Sequence, residues 1–133
     1  MTRFVVDSDT LLRIARGEIE VSAEHKLFAP TLARSQALAA LYESAQRGEI
    51  SRAEGLEQAL RINQLKVRFL GDRALQQQAW KVAEKLGWRT IDAAEYVALT
   101  TLQGDVLVTS DRELAEAVSG LVKTATPDAL AAP

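Results

Sequence analysis

Three aspartates that lie far apart in the sequence each stand at the start of a predicted helix, and together they have the chemistry of a metal site. Asp7 directly follows an apolar segment, Asp111 comes shortly after another at residues 106–108, and Asp92 follows residues 88–91. Clustered carboxylates repel one another unless a cation neutralises them, and Mg²⁺ and Mn²⁺ prefer oxygen ligands. Such an ion activates water and binds phosphate, so the pattern indicates metal-assisted chemistry on a phosphate group.

Each of these aspartates also has a simpler interpretation as a helix cap. Aspartate is among the commonest N-cap residues and contributes about 1 kcal/mol there. Two of the three, however, follow apolar strands, where serine, threonine or asparagine would cap equally well. It is therefore the set, rather than any single residue, that favours a metal site.

The composition limits which other chemistries are available. The chain has no cysteine and a single histidine, His25, which excludes thiolate nucleophiles, zinc-thiolate sites and histidine metal clusters. Any metal must therefore be held by oxygen. The formal net charge of −2 argues against attraction of the whole protein to nucleic acid, so RNA or DNA binding needs a local basic patch or metal ions.

The length and apolar patterning predict a single cytoplasmic domain. A chain of 133 residues forms one ordinary domain, and we place it at residues 1–126, followed by a frayed alanine-rich tail at residues 127–133. The longest unbroken apolar run, residues 37–42, is far shorter than the roughly 20 residues that cross a bilayer. Residues 1–3 lead into a strand rather than a signal sequence, and we expect no membrane contact.

Short apolar strands alternate with helices along the chain, which predicts an α/β fold. Strands are predicted at residues 3–6, 67–70, 106–108 and 121–122, whereas residues 17–30 show little pattern. Ser51 and Glu54 have the spacing of a capping box before a third helix. The alternation indicates a parallel sheet covered by helices on both faces, where ligands bind at the carboxyl ends of the strands.

Three stretches, residues 4–12, 92–99 and 105–114, make the sequence resemble the PIN-domain family, and specifically its VapC-type toxins. The resemblance spans nearly the whole chain. It implies a three-layer α/β/α sandwich with a short, mainly parallel central sheet. It also implies that Asp7, Asp92 and Asp111 belong to a catalytic metal site, and that Thr109 shapes the turn presenting Asp111.

The chain departs from the family pattern near the predicted second helix. The family usually has a glutamate six residues after the proline, whereas this chain has the uncharged Gln36. It also has Asp9 where the family commonly has a small hydroxyl or amide residue. We hypothesise that Asp9 restores part of the missing negative charge as an additional metal ligand, and Glu43 is an alternative source.

The register around Asp92 also differs from the family, because Tyr96 lies four positions after it instead of three. Glu95 therefore shares the acidic role with Asp92 or replaces it, unless the two residues form a reciprocal helix cap.

Arg112 either binds substrate or pairs with a neighbouring glutamate. Trp80 and Trp88 are interpreted as core or partner-facing residues rather than a stacking platform, because nothing basic alternates with them.

The resemblance implies a Mg²⁺- or Mn²⁺-dependent endoribonuclease toxin that is neutralised by a VapB-type antitoxin and forms a homodimer. One alternative is a catalytically weakened PIN domain that binds RNA or an antitoxin, since Gln36 replaces the usual acid. Another is a phosphatase resembling the haloacid dehalogenases, whose paired-aspartate motif is similar to Asp7 and Asp9. In that family, however, the threonine falls one position later than Thr10 does.

Overall fold

The central sheet of the protein has five parallel strands in the order β3-β2-β1-β4-β5. The computed structural model describes residues 1–133. The strands are β1 (Arg3–Val6), β2 (Lys26–Pro30), β3 (Val67–Leu70), β4 (Val106–Val108) and β5 (Thr124–Ala125). The apolar residues of β1 and β4 are buried, as expected for parallel strands covered on both faces. The predicted α/β class is confirmed, and the sheet is entirely parallel.

The chain has six α-helices, five of which form two groups. They are α1 (Ser8–Ala15), α2 (Leu32–Gln46), α3 (Arg52–Gln64), α4 (Arg73–Leu86), α5 (Asp92–Gln103) and α6 (Arg112–Ala117). Helices α1, α2 and α3 pack against one another, while α4 packs against α5 and α5 contacts β1, β2 and β4. This arrangement gives the three-layer sandwich that the sequence predicts. No helix has the length and apolar character needed to cross a membrane.

The register between β1 and β4 brings the ends of two predicted strands side by side. Val6, the last residue of β1, pairs with Val108, the last residue of β4. The residues that follow, Asp7 and Thr109, therefore leave the sheet next to each other although they are about a hundred positions apart in sequence. The central part of the candidate site is thus determined by strand pairing.

Two strands differ from the sequence prediction. Strand β2 lies in the weakly patterned stretch, because Lys26 and Pro30 at its ends obscure an apolar centre. The last strand is β5 rather than residues 121–122, because the amides of Leu121 and Val122 bond back to the carbonyl of Val118 in a turn. The amide of Thr109 pairs instead with the carbonyl of Ala125.

The C-terminal segment is packed, so the expectation of a frayed tail is wrong. Residues Pro127–Ala131 form a 3₁₀ helix, in which Pro127 and Leu130 are buried. The amide of Ser22 donates to the carbonyl of Leu130 at 2.9 Å, and Nε2 of His25 lies 2.5 Å from the carbonyl oxygen of Ala132. The alanine-rich composition did not indicate that the single leucine enters the core.

The capping box predicted for α3 is present and can be tested by substitution. The amide of Glu54 donates to Oγ of Ser51 at 3.0 Å, and the amide of Ser51 donates to Oε1 of Glu54 at 3.4 Å. We expect Ser51→Ala to lower the free energy of unfolding by about 1 kcal/mol, measured by urea denaturation. Ser51→Asp should retain most of the stability, and equal loss in both variants would contradict a capping role.

Candidate functional site

Two of the predicted aspartates lie at the carboxyl ends of the neighbouring strands β1 and β4, where both also cap helices. Oδ1 of Asp7 accepts a hydrogen bond from the amide of Thr10 at 2.9 Å, at the start of α1. Oδ1 of Asp111 accepts from the amide of Leu114 at 3.1 Å, at the start of α6. A carboxylate has about four acceptor sites and each cap uses one of them, so capping and ligand binding are compatible at both positions.

Thr109 is the buried residue that connects these two aspartates. Its Oγ1 accepts a hydrogen bond from the amide of Asp111 at 3.1 Å, which fixes the turn after β4. The same hydroxyl interacts with the carboxylate of Asp7 and acts to lower the pKa of that group. The structure therefore places Thr109 between Asp7 and the loop that carries Asp111.

Asp7 is a desolvated carboxylate without a basic partner. Burial raises the pKa of Asp7 above its ordinary value, and the negative charge of nearby Asp9 raises it further. Hydrogen bonds from Thr10 and Thr109 oppose this increase but do not cancel it. None of the four ion pairs in the structure involves Asp7. A cation at this edge of the sheet would remove the electrostatic cost of ionising Asp7.

Helix α5 adds a tyrosine to the site that the sequence analysis used only as a register marker. Tyr96 is 5% exposed, and its hydroxyl donates to Oε1 of Gln36 on α2 at 2.5 Å. Burial raises the pKa of Tyr96, and the charge of Asp7 raises it further. The phenol is therefore a neutral donor close to Asp7. A buried tyrosine needs a polar partner for its hydroxyl. A tyrosine among the apolar residues of a predicted helix is therefore the sequence signal that points to such a role.

The two acidic residues at the start of α5 do not form a cap. Ile91 occupies the N-cap position without a side-chain hydrogen bond, and the amide of Glu95 donates to the carbonyl of Ile91. The proposed reciprocal cap between Asp92 and Glu95 is therefore wrong, because Asp92 already lies inside the helix. Asp92 is exposed, whereas Glu95 is partly buried. Burial raises the pKa of Glu95, and the charge of Asp92 adds to this increase.

Glu95 and Asp92 differ in the groups on which their charges act. Its negative charge acts on the neighbouring Tyr96 and raises the pKa of the phenol, as the charge of Asp7 does. Asp92 acts on Glu95, and it also lines a separate cleft beside Trp88. Of the two acidic residues, Glu95 is the less exposed one and the direct neighbour of Tyr96 in the chain.

The acidic side chains form no closed metal cage. No group of three or more aspartate, glutamate or histidine side chains is close enough to hold a metal ion. This arrangement does not fit an ion surrounded by protein ligands. Mg²⁺, however, is usually bound through one or two carboxylates and keeps several waters, and the desolvated, unpaired Asp7 fits that kind of site.

The remaining predicted residues lie around this centre. Asp9 is exposed in the first turn of α1, close enough for its charge to act on Asp7. Glu43 is exposed, and its charge acts on Arg47 instead. Arg112 forms no ion pair with Glu113 or Glu116, and it lines an open cleft together with Arg13 and Ser110.

The pH dependence of stability provides a test of the environment of Asp7. Because its pKa in the folded chain exceeds the ordinary value of 3.8, the folded state retains a proton that the unfolded state has released. Stability is therefore lost as the pH rises through the folded-state pKa. In EDTA, we expect Asp7→Asn to be more stable than wild type at pH 7 and to match it below pH 3.8, measured by urea denaturation.

Asp72→Asn is the matched control for this experiment. Asp72 caps α4 with the same geometry, since its Oδ1 accepts from the amide of Leu75 at 2.9 Å, but its side chain is exposed. We expect no comparable gain in stability at pH 7 from this substitution. A constant difference between Asp7→Asn and wild type across the pH range would show that the effect does not come from ionisation.

The comparisons with known proteins point to one fold. No family model and no curated protein sequence matches the chain. Among solved structures, PAE2754 from Pyrobaculum aerophilum is 26% identical, with a TM-score of 0.73 over 92% of this chain and 89% of that one. VapBC2 from Rickettsia felis, bound to a DNA fragment from its promoter, is 6% identical, with a TM-score of 0.62 and coverages of 93% and 98%.

A further toxin–antitoxin structure matches over a similar extent. VapBC-1 from nontypeable Haemophilus influenzae is 10% identical, with a TM-score of 0.56 over 94% of this chain and 98% of that one. At these identities the VapBC likenesses establish the fold. The PIN-like fold that the resemblance implied is therefore confirmed, with VapBC complexes among its structural neighbours.

Proposed function

We propose that this protein is a cytoplasmic, metal-dependent endoribonuclease toxin of the VapC type. The observation that carries the proposal is Asp7, a desolvated carboxylate with no basic partner at the carboxyl end of the central strand. Thr109, which bonds to Asp111, and Tyr96, which bonds to Gln36, both lie near Asp7. The likeness to VapBC structures supports the same assignment through the fold.

The proposed cofactor is Mg²⁺ or Mn²⁺, held mainly by Asp7. Asp111 and Glu95, or Asp92 in place of Glu95, are the further carboxylates proposed to hold the ion directly or through water. When bound, the ion would supply positive charge to the phosphate and lower the pKa of a water molecule. No covalent enzyme intermediate is required, which agrees with the absence of cysteine from the chain.

The neutral residues of the site are proposed to orient the substrate. The Tyr96 hydroxyl donates to Oε1 of Gln36, which fixes the amide and leaves its NH₂ group to donate hydrogen bonds to a substrate oxygen. Thr109 holds the loop that presents Asp111. In this proposal Tyr96 and Thr109 are positioning residues, whereas Gln36 contacts the RNA.

The proposed antitoxin binds an apolar surface formed by α2 and α3. Leu38, Tyr42 and Leu56 are 53%, 65% and 51% exposed, and they border a groove of about 330 Å³ between these helices. Contiguous exposed apolar side chains of this kind mark protein interfaces. Co-expression with a VapB-type antitoxin, followed by size-exclusion chromatography, should give a complex that Tyr42→Arg disrupts. A homodimer is proposed from the family resemblance alone.

Cleavage of structured RNAs tests the enzymatic part of the proposal. A panel of structured RNAs is incubated with wild type, Asp7→Asn and Asp111→Asn in Mg²⁺, Mn²⁺ or EDTA. We expect metal-dependent cleavage by wild type and strong loss in both variants. Equal activity in all three proteins would remove these residues from the mechanism, and hydrolysis of a phosphomonoester instead of RNA would favour the phosphatase alternative.

Gln36 supports a second candidate function, a PIN-like domain that binds RNA or antitoxin without cleaving RNA. An uncharged amide stands where the family has a glutamate, and no group of three metal-ligating side chains is assembled. Metal-independent RNA binding without cleavage products in the same panel would favour this alternative.

A further inference from the structure

An exposed tryptophan and a partly buried one border the same cleft beside the start of α5. The indole cleft, defined by Trp80, Glu84, Trp88, Arg89, Thr90 and Asp92, has a volume of about 590 Å³. Trp80 projects from α4 and is 63% exposed, whereas the Trp88 side chain packs partly against the core. An indole this exposed carries a large unfavourable contact with water unless a ligand covers it.

The surroundings of Trp80 are polar, which favours a small planar ligand over a protein interface. Gln76, Gln77, Lys81 and Glu84 surround it on the outer face of α4. The core of a protein interface is instead depleted of charged residues and covers a broad area. On this chain such a surface lies elsewhere, between α2 and α3. A single indole within polar side chains matches the arrangement on which a nucleobase stacks.

The cleft also provides groups that suit a nucleotide. Arg89 is exposed and takes part in none of the four ion pairs of the structure, so its guanidinium is available to a phosphate. The Thr90 side chain adds a hydroxyl that can donate or accept a hydrogen bond. A base on Trp80 and a phosphate on Arg89 would use both features of the cleft.

Helix α5 connects the indole cleft with the candidate catalytic site, because it begins at Asp92 in the cleft and carries Tyr96, which donates to Gln36, one turn further on. Asp92 lines the cleft, and its charge acts on Glu95 one helical turn further along α5. Glu95 in turn acts on Tyr96, which lies beside Asp7. A chain of nucleotides entering along α5 would therefore pass from the indole cleft to the carboxylates.

We propose that the indole cleft binds an unpaired nucleobase of single-stranded RNA, stacked on Trp80 with the adjoining phosphate on Arg89. This inference rests on the proposed nuclease function and adds a base-binding subsite outside the candidate catalytic site. It reverses the interpretation of the two tryptophans as core or partner-facing residues. One basic residue follows each tryptophan in the sequence, Lys81 and Arg89, which is not an alternating pattern, and only the fold brings Trp80, Trp88 and Arg89 to one cleft.

The two tryptophans are the only ones in the chain, so their fluorescence reports on this cleft alone. The probes are a ten-nucleotide oligoadenylate, labelled with fluorescein for anisotropy, and its duplex with oligouridylate. The titrations use Asp7→Asn in Mg²⁺ so that the RNA remains intact. We expect the single strand to quench the fluorescence in a saturable way and the duplex to leave it nearly unchanged.

Substitutions in the cleft show which side chains contribute to the affinity for oligoadenylate. In the Asp7→Asn background, Trp80→Ala should weaken oligoadenylate binding about 5- to 150-fold, the range for loss of one base–aromatic stack. Trp80→Phe should retain much of the affinity, and Arg89→Ala should weaken binding and reduce its salt dependence. Leu102→Ala removes another exposed apolar side chain, at the far end of α5, and should bind as the background protein does.

Several results would overturn the proposal. Unchanged affinity in Trp80→Ala, or equal quenching by the duplex, would show that no base stacks on Trp80. A change in sedimentation mass in Trp80→Ala would identify the cleft as a protein interface. If Trp80→Ala cleaves oligoadenylate as fast as wild type does, the proposed base-binding cleft is contradicted but the nuclease function is not. Binding that depends on Trp80 without any cleavage would support the cleft and contradict the nuclease function.

Discussion

Asp7→Asn is expected to reduce metal-dependent RNA cleavage by about three orders of magnitude while leaving the protein folded. The loss follows because a neutral amide cannot supply the negative charge that holds a divalent ion, and charge stabilisation by a metal is worth several kcal/mol. The fold survives because asparagine caps a helix as well as aspartate does, so the hydrogen bond from the amide of Thr10 is retained. Single-turnover cleavage in Mg²⁺ measures the effect.

The same matched substitution at Asp72 separates charge from capping. Asp72→Asn replaces a carboxylate with the same 2.9 Å cap geometry at the end of another strand, and we expect full activity.

A second measurement of metal binding is the stabilisation of the protein by Mg²⁺. With a dissociation constant of about 1 mM, 10 mM Mg²⁺ should stabilise wild type by about 1.4 kcal/mol and Asp7→Asn much less. Equal stabilisation of both proteins would place the ion elsewhere.

Gln36→Glu is expected to strengthen metal binding and to lower the stability of the metal-free protein. A carboxylate at this position adds a negative charge near Asp7, so we expect Mn²⁺ to bind about tenfold more tightly, which corresponds to about 1.4 kcal/mol. In EDTA the same charge repels Asp7, and the variant should melt at a lower temperature than wild type. Calorimetric titration with Mn²⁺ and thermal denaturation in EDTA measure the two effects.

A matched control keeps the added charge away from the site. Gln103→Glu introduces a carboxylate at the exposed C-terminal end of α5, and we expect unchanged Mn²⁺ affinity. If Gln36→Glu binds Mn²⁺ no more tightly than this control, Gln36 does not lie at a metal site. Faster cleavage by Gln36→Glu would indicate that the natural glutamine limits the proposed activity.

The parts of the site that follow apolar strands were predictable from the sequence. Strands β1 and β4 are short apolar runs that end in polar residues, so Asp7 and Asp111 were predicted at the carboxyl edge of a parallel sheet. The structure has both aspartates at these positions, on adjacent strands. Local patterning was sufficient here because burial on both faces leaves a continuous apolar signature.

Contacts between distant segments were not predictable in this way. The hydrogen bond from Tyr96 to Gln36 joins residues 60 positions apart on different helices, and no spacing rule within one element specifies it. Likewise, Asp92 and Glu95 have the spacing of a capping box, but the helix begins one residue too early for that cap to form. Strand β2 was missed because its charged and proline ends resemble a loop.

The pairing of β1 with β4 has a consequence for how the protein acquires activity. Because Val6 pairs with Val108, the sheet that supports Asp7 and Thr109 closes a loop of about a hundred residues, and such high contact order slows folding. Helices α1 to α3 can form earlier from local interactions. The edge of the sheet that carries Asp7 and Thr109 is therefore complete only once this long-range pairing has formed, so recovery of the proposed activity should follow formation of the sheet rather than of the helices.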